Sequence, residues 1–272
     1  MTAPAFPHID LIEKPPPGSR RADRDFLPTL ARGLLVLRAF TQQNERMTLA
    51  EVARVVKLPR ATVRRCLLTL QALGYVDADG RHFAVSPGVL TLAQAYLSSS
   101  ALPRVVQPFL ERLSDRLGAS CSVSILHGDE VVYVARSSRK RLASLHRDVG
   151  THLPAWCTSM GRVLLAELPE PDQQAWLATQ NFTRLTPHTI TDPAQLSDRL
   201  RETRQQGHCL VNQEMEIDLL SLAVPLRTAA GRTIAALNTS AQASQTTQEQ
   251  MLTTTLPALH ATAAELRPLL LG

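Results

Sequence analysis

The chain has 272 residues, 44% of them hydrophobic, 19% charged and 4% aromatic, which excludes a disordered or collagen-like polymer and suggests about two globular domains. The net charge of +5 is unevenly spread: residues 20–91 hold twelve Lys/Arg against six Asp/Glu, while residues 92–272 hold sixteen of each. A basic segment beside a neutral one is the electrostatic footprint of nucleic-acid binding.

Four cysteines (Cys66, Cys121, Cys157 and Cys209) lie far apart, with no CxxC and no Cys/His cluster at metal-ligand spacing. That pattern gives no expectation of a metal and points to a reducing, cytoplasmic setting. No apolar run approaches the roughly 20 residues of a membrane span, so no membrane partner is expected. Residues 1–25 carry Pro15-Pro16-Pro17-Gly18 and Arg20-Arg21, which reads as a disordered leader rather than a signal peptide.

The first helix is expected over Leu30–Thr41, with Leu34, Leu37 and Phe40 at helical spacing. Thr48, followed by Glu51 three residues later, is a capping-box signature for a short second helix that Lys57-Leu58-Pro59 stops. A third helix runs from Pro59 or Arg60 to Leu73, with Val63, Cys66, Leu67, Leu70 and Leu73 as one buried stripe and Gly74 at its C-cap. Tyr75-Val76, an Asp79-Gly80 turn and His82–Val85 read as a two-stranded wing. Ser86-Pro87 opens a helix to about Ser98, and Ser98-Ser99-Ser100 with Pro103 marks a domain boundary.

Beyond it, Val105–Leu117 is an amphipathic helix, and Ser120–Leu126 and Glu130–Ala135 form a hairpin. Helices follow at Trp156–Leu168, Asp172–Thr179 and Pro193–Gln206, then strands at Leu219–Arg227 and Thr233–Ser240. A long terminal helix, Thr247–Leu270, is interrupted at Pro257. Hairpins and helices without regular βαβ alternation predict an α+β domain with an antiparallel sheet.

Two short helices joined by a tight turn, the second basic on its open face, form a helix-turn-helix. The open face carries Ala61, Arg64, Arg65 and Leu68, with Arg60 and Thr62 at its N-terminal end. Small and basic residues suit a major-groove helix, because Arg bonds guanine bidentately and small side chains allow close approach. Arg81 in the wing, and Thr48 at the start of the second helix, complete the candidate contacts to double-stranded DNA.

The runs MTLAEVARVVKLPRATVRRCLLTLQALGYV (Met47–Val76), GTHLPAWCTSMGRVLLA (Gly150–Ala166) and GHCLVNQEMEIDLLSLAVPLRTAAGRTIAALNTSA (Gly207–Ala241) resemble the IclR family of bacterial regulators. LPRATVRR and LPAWCTSMGRVLLA most resemble its branch controlling protocatechuate, para-hydroxybenzoate and β-ketoadipate catabolism. The resemblance implies a winged helix-turn-helix over residues 26–86, a linker helix over 87–102 and a GAF-like α/β effector-binding domain over 103–272. It also implies a homodimer or tetramer that binds a small organic acid, with no cofactor.

Carried over singly, the resemblance assigns Leu145 and Leu153 to apolar walls, and Ser159 and Met160 to a turn whose backbone amides face a carboxylate. It assigns Leu219 and Ser221 to one central strand and Asn238 and Ser240 to the next. Backbone N–H groups at a helix N-terminus do favour anions, and a few polar side chains orient a ligand in an apolar pocket. Trp156 is either an aromatic wall or core packing; Arg147 and Arg162 read as surface residues able to pair with a second carboxylate. An enzymatic alternative pairs Cys157 with His152 or His146, but no nucleophile signature, phosphate loop, GxGxxG or HExxH accompanies it.

Overall fold

The computed structural model describes residues 26–41, 44–137 and 148–270, so Leu145, His146, Arg147 and the expected leader lie outside the described residues. The chain divides into two compact units that meet at Ser99 and Ser100.

The first unit comprises helices α1 (Pro28–Arg38), α2 (Leu49–Val56) and α3 (Arg60–Ala72), a small sheet and helix α4 (Leu90–Ser99). Its core joins Leu35, Val36 and Ala39 of the first segment to Val52 and Val56 of α2 and Val63, Leu67 and Leu70 of α3. The buried face of α1 is therefore Leu35, Val36 and Ala39, whereas Leu34 is exposed. Helical spacing alone fits either face, and it is packing against α3 that selects one.

A left-handed Lys57, at φ 51°, turns the chain from α2 into α3. At the other end of α3, Gly74 has φ 77°, and Tyr75 N–H reaches Leu70 O at 2.8 Å while Gly74 N–H reaches Gln71 O at 3.0 Å. Those two bonds make a Schellman motif, which needs a residue free to adopt positive φ. The reversal leaves Leu73 63% exposed instead of ending the buried stripe.

The wing is a three-stranded antiparallel sheet, not the two-stranded ribbon expected. Strand β1 (Arg46–Thr48) pairs with β3 (His82–Val85), which pairs with β2 (Val76–Asp79). A strand of three residues leaves too short an alternation to be read from sequence. A 3₁₀ turn at Pro87–Val89 then leads into α4, whose ten residues include none that is buried.

The second unit opens with α5 (Ala101–Leu117), which begins four residues earlier than expected. Pro103 sits in its first turn, where the missing N–H has no intrahelical partner to lose. A six-stranded antiparallel sheet follows: β4 (Cys121–His127), β5 (Glu130–Ser137), β6 (His152–Pro154), β7 (Cys209–Asn212), β8 (Leu219–Arg227) and β9 (Thr233–Gln242). The strand order is β6-β5-β4-β9-β8-β7.

Period-two alternation decides what each sheet face meets. Leu220, Leu222 and Val224 of β8 and Leu237 of β9 face α5 and the C-terminal helix α9 (Leu256–Leu266). Ala223 of β8 and Ala236 of β9 face the other way, toward helices α6 (Ser159–Ala166) and α8 (Pro193–Gln206), with α7 (Glu170–Thr179) alongside. The terminal helix is interrupted as expected near Pro257, by a π turn at Met251–Thr255 in which Leu256 N–H bonds Met251 O. Proline removes an N–H from the ladder, and a widened turn absorbs that loss.

Candidate functional site: a basic helix and a buried cleft

Helix α3 keeps Val63, Cys66, Leu67 and Leu70 inward, so Arg60, Ala61, Arg64, Arg65 and Leu68 are exposed and Thr62 is half-buried. Arg81 is exposed in the two-residue loop between β2 and β3. These positions share one unit, with Arg54 and Lys57 of the neighbouring helix also exposed. Thr48 is at the N-cap of α2. Its N–H and its hydroxyl both donate to Glu51 Oε2, at 2.7 and 2.8 Å, and its oxygen accepts from Glu51 N–H at 3.4 Å. The hydroxyl thus caps α2, and hydrogen bonding to the ionised carboxylate holds the Glu51 pKa below its ordinary value.

In the second unit, α6 lies across the inner face of β8 and β9, and all eight of its residues are buried. Thr158 caps it, accepting from Gly161 N–H at 3.3 Å and donating to Pro154 O at 2.9 Å. A Cβ on Gly161 would sit 2.0 Å from Ala155 O, so only glycine lets the loop before α6 fold back against the helix. This packing brings the N-terminal end of α6 to the sheet, where Ser159 Oγ and Ser221 Oγ lie 2.6 Å apart.

Beside that pair is a narrow cleft of about 10 Å³. Its lining includes Leu153, Met160, Leu219 and Ser221, which the resemblance assigns to the effector site, together with Cys157, which the sequence offers only as a nucleophile, and Thr158, Val211 and Met215, which it does not single out. The register places Ser240 opposite Ser221 and Asn238 opposite Ala223, on the same sheet face. Asn238 is buried and its Oδ1 has no hydrogen-bond partner. Trp156 is also buried, with its ring edge-on to Phe182 at 5.6 Å between centroids; like Ser159, Asn238 and Ser240, it is not among the residues lining the cleft.

Arg162 is not a surface residue. It is 2% exposed, and its guanidinium forms two bonds to the Glu214 carboxylate and a third, from Nε, to Trp156 O. Glu214 belongs to the loop between β7 and β8 that also supplies Met215 to the cleft. As for the enzymatic alternative, Cys157 is fully buried and His152 Nδ1 is engaged by Glu130 Oε2 at 2.9 Å.

The model for the bacterial transcriptional regulator IclR C-terminal domain matches residues 94–267, and that for the IclR helix-turn-helix domain matches residues 29–80. The chain belongs to the IclR family. The Pca regulon regulatory protein of Pseudomonas putida is 42% identical over 92% of this chain and 86% of its own length. The p-hydroxybenzoate hydroxylase transcriptional activator of Acinetobacter baylyi is 37% identical over 96% and 98%. Among solved structures, a transcriptional regulator from Rhodococcus sp. RHA1 superposes with TM-score 0.76 at 46% identity, covering 88% of this chain and 96% of that one. A double mutant of the PobR inducer-binding domain from Acinetobacter, in complex with 3-hydroxybenzoic acid, gives TM-score 0.60 at 38% identity, covering 63% and 100%.

In this IclR-family chain two further buried polar residues escape a reading of the sequence. Ser122 and Ser124 of β4 alternate with Cys121 and Val123, a pattern that normally marks a solvated face. Here both faces of the sheet are covered, so these serines are buried under α6 and its neighbours. No one-dimensional signal distinguishes the two cases.

Proposed function

We propose that this protein is a cytoplasmic, effector-responsive, DNA-binding transcription regulator that controls the catabolism of aromatic acids. The observation that carries the effector reading is the cleft itself: a helix N-terminus and the Ser159–Ser221 pair stand beside apolar walls, a combination suited to a carboxylate on an apolar body. The names and the bound ligand of the relatives above support an aromatic acid. Leu153, Ser159, Met160, Leu219, Ser221, Asn238 and Ser240 form the effector site, and Trp156 supports it from behind through Phe182.

Arg60, Ala61, Thr62, Arg64 and Arg65 enter the major groove, and Arg81 meets phosphate from the wing; Thr48 fixes the start of α2 beneath them. The protein acts as a homo-oligomer. Support comes from α4, an uncharged helix with no buried residue, on which Leu90, Leu92 and Tyr96 are exposed. A dimer presents two recognition helices to half-sites about 34 Å apart. The effector acts by binding one arrangement of the dimer more tightly than another. The protein is not a catalyst: the buried Cys157 and the engaged His152 favour packing over a nucleophile pair. Among the described residues no helix is long and apolar enough to cross a membrane.

Thermal-shift screening tests the effector class. Protocatechuate, para-hydroxybenzoate or β-ketoadipate is expected to raise the melting temperature by linkage. Stabilisation by pyruvate or glyoxylate alone would replace the aromatic reading with a short-chain acid sensed by the same architecture.

A further inference from the structure

A second cleft, of about 220 Å³, lies at the end of β9, between the C-terminal end of α5 and the π turn at Met251–Thr255. Its floor is Leu117, Ala241 and Met251, which pack in the core between the sheet and helices α5 and α9, away from the side covered by α6. It shares no lining residue with the cleft beside the Ser159–Ser221 pair, and it is far larger. An apolar cavity of about 150 Å³ holds a benzene molecule, so this volume admits a substituted six-membered ring.

The polar side chains around this cleft differ from their neighbours in one respect. Thr247 and Gln250 cap each other's backbone, Ser244 is held by Asp218, and Thr253 donates to Glu249 O. Gln245, Thr246 and Thr255, which line the cleft, have side chains with no hydrogen-bond partner among the described residues. Hydroxyl and amide groups both donate and accept, so these three suit a ligand that does the same. None of the lining residues is ionisable, and α5 brings the negative end of its dipole to the cleft at Leu117 and Gly118. An anion would lose its hydration there with no cation to meet it. The ligand that fits is uncharged, has a hydrocarbon face for the floor, and carries hydroxyl groups around its edge.

We propose that this second cleft binds a neutral cyclic polyol, of the class of monosaccharides and inositols. The C–H face of the ring packs on Leu117, Ala241 and Met251, and its hydroxyls bond Gln245, Thr246 and Thr255. The assignment does not rest on the aromatic-acid reading above. The two sites are nonetheless joined. Ser240 lines the second cleft and stands opposite Ser221, which lines the first. Gln242 Nε2 donates to Asp218 Oδ2 at 3.4 Å, at the end of the loop that carries Met215. An occupant of the second cleft thus adjoins the effector cleft without entering it.

Calorimetric titration of the full chain with myo-inositol, D-glucose and D-gluconate tests the proposal, using the wild type, Gln245→Leu, Thr255→Val and Thr254→Val. At least one of the two neutral polyols is expected to bind the wild type, and to bind about ten-fold or more tightly than gluconate, whose carboxylate finds no cation. Gln245→Leu and Thr255→Val should each weaken that binding several-fold, the scale of one hydrogen bond. Thr254→Val, at an exposed position outside the lining, should bind as the wild type does. Saturating 4-hydroxybenzoate should not compete with the polyol. Binding of neither neutral polyol, equal binding of gluconate, or wild-type affinity in both cleft variants overturns the polyol site. Competitive displacement by 4-hydroxybenzoate also overturns it, because the polyol would then occupy the effector cleft.

Discussion

The Arg162 guanidinium meets the Glu214 carboxylate face to face, with Nη1–Oε1 at 2.7 Å and Nη2–Oε2 at 2.6 Å, and both side chains are buried. Burying two charges is costly unless the remaining polar sites are also satisfied. Here Arg162 Nε donates to Trp156 O, and Glu214 Oε2 accepts from Ile190 N–H at 3.0 Å. Thr186 and Thr189 hydroxyls hold the Glu214 backbone oxygen as well. One ion pair thus ties α6, the loop before it, the loop carrying Met215 and the segment around Ile190. Gln213 and Asp218, at either end of the Met215 loop, have φ of 58° and 66°. Such left-handed non-glycine residues persist only where their surroundings hold them.

Removing one partner of this pair leaves the other charge buried and alone. Glu214→Ala is therefore expected to destabilise the protein by about 3–5 kcal/mol, measured by urea unfolding. The double variant Arg162→Met/Glu214→Leu should recover much of that loss, because an apolar pair of similar volume carries no desolvation penalty. A single-variant loss below about 1 kcal/mol would mean that the ion pair does not hold these segments together.

Gly161→Ala probes the contact that seats α6. The added Cβ would meet the Ala155 backbone at 2.0 Å from its oxygen and 2.4 Å from its Cα, and backbone cannot move aside as a flexible side chain can. Overpacking of this kind costs about 1–3 kcal/mol or more. Because the displaced loop carries Cys157 and Thr158 of the cleft, effector affinity should fall with stability while operator binding survives at low temperature. Unchanged effector affinity would separate the loop from the site.

The DNA-binding half was legible because its signals are local. The Thr48–Glu51 box, the stop at Pro59, the stripe from Val63 to Leu70 and Gly74 each act within a few residues of chain. In the second unit, Ser159, Ser221 and Asn238 are singled out only through resemblance, since nothing in the strand pattern marks them. Arg162 shows why. A single arginine in SMGRVLLA looks solvated until Glu214, fifty-two residues away, is folded onto it. The burial of Ser124 likewise depends on a helix from another part of the chain.

Acid should weaken the cap of α2. The folded-state pKa of Glu51 is lowered by its hydrogen bonds to Thr48, so its contribution is present above the ordinary value of 4.5 and is lost as pH falls through the folded value. Glu51→Gln keeps a neutral acceptor at this position. The stability gap between the wild type and Glu51→Gln should therefore narrow as the pH is lowered from 6 toward 3, followed by chemical unfolding at each pH. A constant gap would show that the carboxylate charge contributes nothing to the cap.

The cysteines should resist alkylation while the protein is folded. Burial pushes the Cys121 thiol up to about 12, and it raises Cys66 and Cys209 as well. Cys157 has 0% exposure, and none of the four forms a disulfide. Iodoacetamide at neutral pH should modify none of them within the time needed to modify all four in urea, as read by mass. Fast labelling of Cys157 in the folded protein would restore the nucleophile reading set aside above.

Arg64→Ala and Arg65→Ala carry the test of the DNA-facing surface. Both side chains are exposed and no ion pair holds either of them among the described residues, so each substitution should change stability by less than about 0.5 kcal/mol. Loss of a base-edge contact costs about 1–3 kcal/mol of operator affinity and relaxes the sequence preference at one position. Loss of a phosphate contact weakens all sequences alike and lowers the slope of log affinity against log salt by about one. Gel shifts on operator and scrambled DNA over a range of salt concentrations distinguish the two for each arginine. Effector affinity should remain at the wild-type value in both variants, because the cleft is built entirely within the second unit. Wild-type operator affinity in both variants would place the DNA on some other face of the winged helix.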